Sequence, residues 1–133
     1  MDASTIVVLW SDNGFQLGEN GLWAKRSNHE AALRTPLIMG GPGVPGLRTD
    51  HIVESIDVFP TVSALCGLPA PRGIDGRSLT RILDGSESRD RRDFAVSQFP
   101  SGPQIMSYSL RTKRHRLTLL VEVGKKHCRK RVV

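Results

Sequence analysis

Cysteine is nearly absent from the chain. Its 133 residues hold two, Cys66 and Cys128, too few for a disulfide framework to stand in for a hydrophobic core. Hydrophobic residues make up 38% and aromatics 5%, both low for a globule of this length stabilised by its own burial. No apolar run approaches the roughly 20 residues of a membrane-spanning helix, so no membrane partner is expected. The first ten residues, "MDASTIVVLW", lack the basic start and long apolar stretch of a secretory signal. There is no N-x-[ST] glycosylation acceptor either. The residues present therefore do not encode a compartment.

What the chain does have is glycine, proline and positive charge. It carries 13 glycines and 8 prolines, and 19 Lys+Arg against 13 Asp+Glu, a formal charge of +6. The basic residues gather late, in "RDRRD", "RTKRHR" and "GKKHCRKRVV". Such charge suits a nucleic-acid partner, but Tyr108 is the only tyrosine and stacking platforms are missing. No specific nucleic-acid partner is expected, and the late cluster reads as solvated. "GPGVPG" (41–46) satisfies G-x-G-x-x-G after a strand, yet Pro42 and Pro45 remove backbone donors that a pyrophosphate needs. "HEAAL" lacks the second histidine of a zinc-protease helix.

Along the chain, "TIVVLW" (Thr5–Trp10) reads as a strand buried on both faces, as in a parallel α/β sheet. Residues 11–28 form a glycine-rich loop, and "TPLIMG" a second short buried strand. "HIVESI" reads as a short extended piece. Asp57 is expected to cap a helix beginning "VFP", with Val58, Val62 and Leu65 on its apolar face and Gly67 at its end. Cys66 is expected to pack inside. "RSLTRILDG" predicts a short helix closed by Gly85. After the charged linker "SESRDRRD", the segments "IMSYSLRT" and "HRLTLLVEV" predict antiparallel strands joined around "KR". The expected organisation is α/β through residues 1–86, a small antiparallel subdomain over 87–123, and a disordered basic tail over 124–133.

The stretch "SDNGFQLGENGLWAKRSN" (11–28) carries the chemistry. Ligands of open α/β sheets bind beyond the carboxyl ends of strands, and Asp12 and Asn13 lie there. A carboxylate and an amide carbonyl suit a hard cation such as Ca²⁺ or Mg²⁺, although Ca²⁺ takes six to eight ligands and the rest must come from elsewhere. Gly14, Gly18 and Gly21 permit tight turns that return Lys25 toward the same place. Lys25 there can hold an anionic sulfate or phosphate oxygen, or protonate a leaving group. His29 lies near enough in sequence to line the pocket. The alternative is a plain Asp-Asn-Gly turn followed by a solvated lysine.

The run "SDNGFQLGENGLWAKRSN…RTPLIMGGPG" resembles the sulfatase family of the alkaline-phosphatase-like superfamily, nearest to its iduronate-2-sulfatase and choline-sulfatase-like members. Their pattern is S-D-[HN]-G-x-x-L-G-E-x-G-x-W-x-K-x-[ST]. The likeness continues through "VESIDVFPTVSALCGLPAP", "IDGRSL" and "IMSYSLRTKRHRLTL", covering about residues 4–121. It implies the C-terminal part of a sulfatase sheet domain followed by a small antiparallel β subdomain. It implies that Asp12 and Asn13 ligate a divalent cation, usually Ca²⁺, and that Lys25 contacts the sulfate. It also implies a sulfate-ester substrate, with a sulfated glycan compatible with the basic charge. Members of the family are usually secreted, periplasmic or lysosomal. Their nucleophile is a formylglycine made within C/S-x-P/A-x-R, and that motif does not occur in these residues. "CGLPAPR" does not fit it. The chain is therefore expected to be inactive by itself. The closing "GKKHCRKRVV" departs from the family pattern. A phosphoester hydrolase of the same superfamily and a non-enzymatic basic binding module are the other readings.

Overall fold

The structure is a computed structural model. It describes residues 4–69, 72–86, 92–122 and 124, and the backbone of 130–132. The chain forms two compact units that interleave in sequence. One comprises residues 1–10 and 36–93, the other residues 11–35 and 94–133.

In the first unit, β1 (Val7–Trp10) pairs antiparallel with β4 (Leu37–Gly40), Val7 opposite Gly40 and Trp10 opposite Leu37. Both predicted strands are present. The expectation of a doubly buried strand among parallel neighbours is corrected for this chain. Leu9 is 58% exposed, Trp10 45% and Ile38 59%, because one antiparallel neighbour cannot cover two faces. Gly41 closes the strand at φ 122, where a side chain would strike the Thr5 carbonyl.

A 3₁₀ turn over Ser55–Asp57 leads into α2 (Val58–Leu65), so the end of "HIVESI" is turned, not extended. Asp57 stands at the helix start but does not cap it; its side chain makes no capping bond there. Instead it serves the preceding turn, where Glu54 and Asp57 form a reciprocal capping box. Asp57 also accepts from the Arg77 amide at 2.9 Å and from the Arg92 guanidinium, whose single Nη2 lies 2.9 Å from each carboxylate oxygen. Arg92 reaches Glu54 as well, at 2.8 Å.

One turn later, the wholly buried Thr61 donates to the Asp57 carbonyl at 2.6 Å and accepts from the Leu79 amide at 2.8 Å. That bond anchors α3 (Thr80–Leu83). The buried side of α2 is thus Pro60, Thr61 and Ser63. Val58, Val62 and Leu65 are only half-buried, and Cys66, expected inside, is exposed with a free thiol. Gly67 ends the helix as predicted. At φ 68 it lets its own amide bond Ala64 and the Leu68 amide bond Ser63, the Schellman arrangement that satisfies the last carbonyls. Gly85 closes α3 in the same left-handed conformation.

The second unit contains a four-stranded antiparallel sheet in the order β5 (Phe94–Gly102), β6 (Ile105–Thr112), β7 (Arg116–Glu122), β8 (Lys130–Val132). The predicted hairpin is there, with Arg111 opposite Arg116 and Ser109 opposite Thr118. Its turn is fixed by the Thr112 amide donating to the His115 carbonyl at 2.8 Å. Residues 130–132 of the basic tail, expected to be disordered, form β8 against Leu119–Val121 of β7. Residues 125–129 and 133 lie outside the described residues.

The sheet reverses the usual alternation. Ser107 and Ser109 are buried on one face, while Val96, Leu110 and Leu117, aligned across three strands, are exposed on the other. The same unit holds residues 11–35. There β2 (Gln16–Leu17) and β3 (Trp23–Ala24) make a minimal hairpin around a 3₁₀ turn at Glu19–Gly21, followed by α1 (Glu30–Leu33).

Thr61 gives the first prediction. Thr61→Val keeps the volume but strands the buried Leu79 amide. The expected cost is about 1–3 kcal/mol, read as a lower urea midpoint for the first unit's amides in native-state hydrogen exchange. An unchanged midpoint would mean that the Thr61 bonds do not stabilise α2 against α3.

Candidate functional site

The loop after β1 is built by close backbone approaches. Ser11 Oγ donates to the Asn13 carbonyl at 2.8 Å, a local turn around Asp12. Gly14 then presses its backbone onto α1, donating to the Ala32 carbonyl at 2.9 Å. A Cβ at Gly14 would collide with the Ala31 carbonyl oxygen, so glycine is required by contact here, not by its φ. Gly18 and Gly21 do take positive φ, 116 and 69, and their amides close the turn through bonds to Leu22 and Gly18 carbonyls at 3.0 Å.

The return brings Lys25 back to the start of the loop. Its Nζ lies 3.9 Å from Asp12 Oδ2. Two of the residues singled out from the sequence therefore meet across thirteen positions, with Asn13 adjoining. Both side chains are largely exposed, 54% for Lys25 and 76% for Asp12. An ion pair in such a setting contributes little stability; it leaves both groups open to a ligand. His29 is exposed at the start of α1, where its backbone amide donates to Ser27 Oγ at 3.2 Å.

The carboxylate of Asp12 and the amide oxygen of Asn13 are hard donors suited to Ca²⁺ or Mg²⁺. The chemistry fits, but the number does not complete a sphere. Among the described residues no group of three or more His, Cys, Asp or Glu is arranged to hold a metal. Further oxygen ligands would have to join these two.

Behind this exposed edge lies a network that sequence reasoning missed. Asn28, buried, donates through Nδ2 to the Ser107 carbonyl at 3.1 Å and to Ser107 Oγ at 2.9 Å. Glu30 Oε2 accepts from Arg111 Nε at 2.9 Å and from Arg116 Nη2 at 2.6 Å. Arg116 Nη1 also donates to Ser109 Oγ at 2.9 Å and to the Asn28 carbonyl at 3.3 Å. These two arginines belong to "RTKRHR", read above as solvated charge; they are structural. A signal existed. Strand alternation puts Ser107, Ser109 and Arg111 on one face, a polar face that demands polar partners.

Burial, the largest single influence on Glu30, raises its pKa. The hydrogen bonds and charges of Arg116 and Arg111 together outweigh it, and the net position is below the ordinary 4.5.

Comparison with known proteins defines first a class, the sulfatases. Residues 18–127 match the family profile "N-sulphoglucosamine sulphohydrolase, C-terminal". Lys25 and His29 fall inside that match and Asp12 and Asn13 just before it. The chain is 41% identical to a sulfatase of Formosa agariphila over 63% of its own length and 17% of that protein. It is 30% identical to human iduronate 2-sulfatase over 89% of its length and 32% of that protein. Among solved structures, a 2-O GAG sulfatase superimposes with a TM-score of 0.77 at 26% identity, over 89% of this chain and 27% of that one. A phosphonate monoester hydrolase from Silicibacter pomeroyi gives 0.79 at 30% identity, over 96% and 28%.

The chain thus belongs to the sulfatase family that this C-terminal profile describes. Its fold is α/β, the C-terminal part of a sulfatase sheet domain with a small antiparallel β sheet after it. It spans less than a third of the length of these relatives and neighbours.

Glu30 supplies a pH prediction. Because its folded-state pKa is lowered, its contribution to stability is complete above about 4.5 and disappears as pH falls through the lower folded value. Acid titration should therefore loosen the Asn28–Glu30 amides below pH 4.5, followed by hydrogen exchange. Glu30→Gln should remove that pH dependence. Identical acid profiles for the two proteins would discount the Glu30 pairs.

Proposed function

We propose that the chain contributes part of the cation and sulfate site of a sulfuric ester hydrolase. The observation that carries this reading is the approach of Lys25 to Asp12 within a loop whose residues follow the sulfatase pattern. Asp12 and Asn13 would be two oxygen ligands of a divalent cation, Ca²⁺ in preference to Mg²⁺. When bound, that cation supplies Lewis-acid polarisation of a sulfate oxygen.

Lys25 does the rest of what this chain offers. Its ammonium binds a sulfate oxygen, orients the ester, and opposes the charge that develops as the S–O bond to the leaving group breaks. Positioned at the leaving oxygen, it donates the proton that oxygen needs. His29 lines the substrate side of the loop. The attacking group comes from a formylglycine outside these 133 residues, so the chain alone does not turn over. The net charge of +6 favours anionic substrates by steering. Human iduronate 2-sulfatase and the 2-O GAG sulfatase, by their names, act on sulfated sugars, and a sulfated glycan is the substrate class proposed here.

The second reading, hydrolysis of a phosphorus ester, rests on the phosphonate monoester hydrolase likeness. Both esters present anionic oxygens to the same lysine.

A chimera tests the proposal. This chain replaces the matching stretch of a homologous sulfatase that carries its own nucleophile. The chimera is expected to hydrolyse an aryl sulfate faster than an aryl phosphonate. Lys25→Ala should lower its kcat/KM by about 10²–10³-fold, and Asp12→Ala should weaken its response to Ca²⁺. A preference for the phosphonate would favour the second reading. Saturable turnover by the unmodified 133-residue chain, lost in Lys25→Ala, would refute the claim that it needs an external nucleophile. Salt-sensitive nucleic-acid binding that survives Asp12→Ala, without chimera activity, would favour a basic binding module.

A further inference from the structure

Gln16 is 1% exposed, one of the most buried side chains in the chain. It lies on β2 directly opposite Ala24 of β3. Its Nε2 donates to the Ala24 carbonyl at 3.3 Å and to Ser27 Oγ at 3.1 Å, and its Oε1 has no partner among the described residues. A buried amide with an idle oxygen costs stability, and a methionine of similar length would fill the space without that cost. Gln16 also occupies one of the two unspecified places in S-D-[HN]-G-x-x-L-G-E, so the family pattern does not require it.

Its two donor contacts bracket Lys25. Ala24, just before the lysine, holds a left-handed φ of 69, a conformation that residues with a Cβ seldom adopt. The bond from Gln16 to its carbonyl supports that reversal. Ser27, just after Arg26, takes the second bond on its hydroxyl, which also accepts the His29 amide at 3.2 Å. Its own amide donates back to the Lys25 carbonyl at 2.9 Å. The Ala24 carbonyl on one side of Lys25 and the Ser27 hydroxyl on the other are thereby tied to one buried amide, while the lysine ammonium lies 3.9 Å from Asp12.

We propose that Gln16 is a positioning residue for Lys25: it fixes the 24–27 turn so that the ammonium is held ready for an anionic ester oxygen. The inference rests on the reading of Lys25 as the sulfate-contacting group.

The test uses the 133-residue chain with isotope-labelled lysine. Inorganic sulfate is titrated while the Lys25 side-chain resonance is followed, and amide exchange is measured at Ser27 and His29. The unsubstituted chain should give a saturable Lys25 shift. Gln16→Met should speed exchange at Ser27 and His29 about tenfold and weaken the sulfate response of Lys25 about tenfold, with β6 and β7 amides exchanging as before. Ser27→Ala should act in the same direction, and the double variant should be no worse than the more affected single one. Ser27→Thr, which keeps the hydroxyl, should restore the response.

Unchanged exchange in Gln16→Met overturns the proposal. So does faster exchange with an unaltered sulfate response, which would make Gln16 merely structural. No saturable Lys25 shift in the unsubstituted chain overturns the sulfate reading itself, and that failure is recognised by appearing before any substitution is made.

Discussion

The loop from Ser11 to Thr35 owns almost no regular structure. Its strands are two residues long, and its helix, Glu30–Leu33, is a single turn, far below the length at which a helix is stable alone. What gives this loop one conformation is its attachment to the β6–β7 hairpin. Asn28 is bonded to Ser107, 79 positions away, and Glu30 to Arg111 and Arg116. Closing so long a segment costs conformational entropy, but the cost grows only slowly with length. The reward is specific, because a buried amide that missed Ser107 would be left unsatisfied. The placement of Asp12 and Lys25 within this unit follows from that anchoring, through Gly14 on the Ala32 carbonyl and Ser27 beside Asn28.

The first unit is organised on the same physical terms around a different hub. Asp57 holds the turn before α2, the Arg77 amide and the Arg92 guanidinium, and Thr61 ties the same helix to α3. Polar groups occupy the interior, and several apolar ones, Leu9, Trp10, Ile38 and Phe59, face outward. A chain with 38% hydrophobic residues that spends them on exposed faces has little hydrophobic stabilisation of its own. Buried hydrogen bonds therefore set geometry here to an unusual degree, and each has a named donor and acceptor.

This arrangement separates two kinds of side chain. The exposed Asp12 and Lys25, with the half-buried Asn13, are those whose chemistry suits a cation and an oxyanion. Gln16, Asn28, Glu30 and the two arginines of the same unit are buried or paired within the fold. An exposed ion pair such as Asp12–Lys25 contributes almost nothing to stability, and each member of it can instead serve a ligand.

Much of this was legible in the residues. Local patterns determined the short strands, the hairpin around Lys113–Arg114, the Gly67 and Gly85 helix ends, and the loop whose glycines return Lys25 toward Asp12. These depend on backbone preference and near-neighbour spacing, which a sequence displays directly. Tertiary structure decided the rest. It turned Asp57 from a helix cap into a hub, because Arg92 and the Arg77 amide compete for the same carboxylate. It exposed Cys66 and the "TIVVLW" strand, because burial depends on what else packs nearby. It converted Arg111 and Arg116 from surface charge into anchors, because Glu30 is more than eighty residues from either in sequence and adjacent to both in space. Partnership over such distances leaves no local period or spacing to read, and only the folded chain displays it.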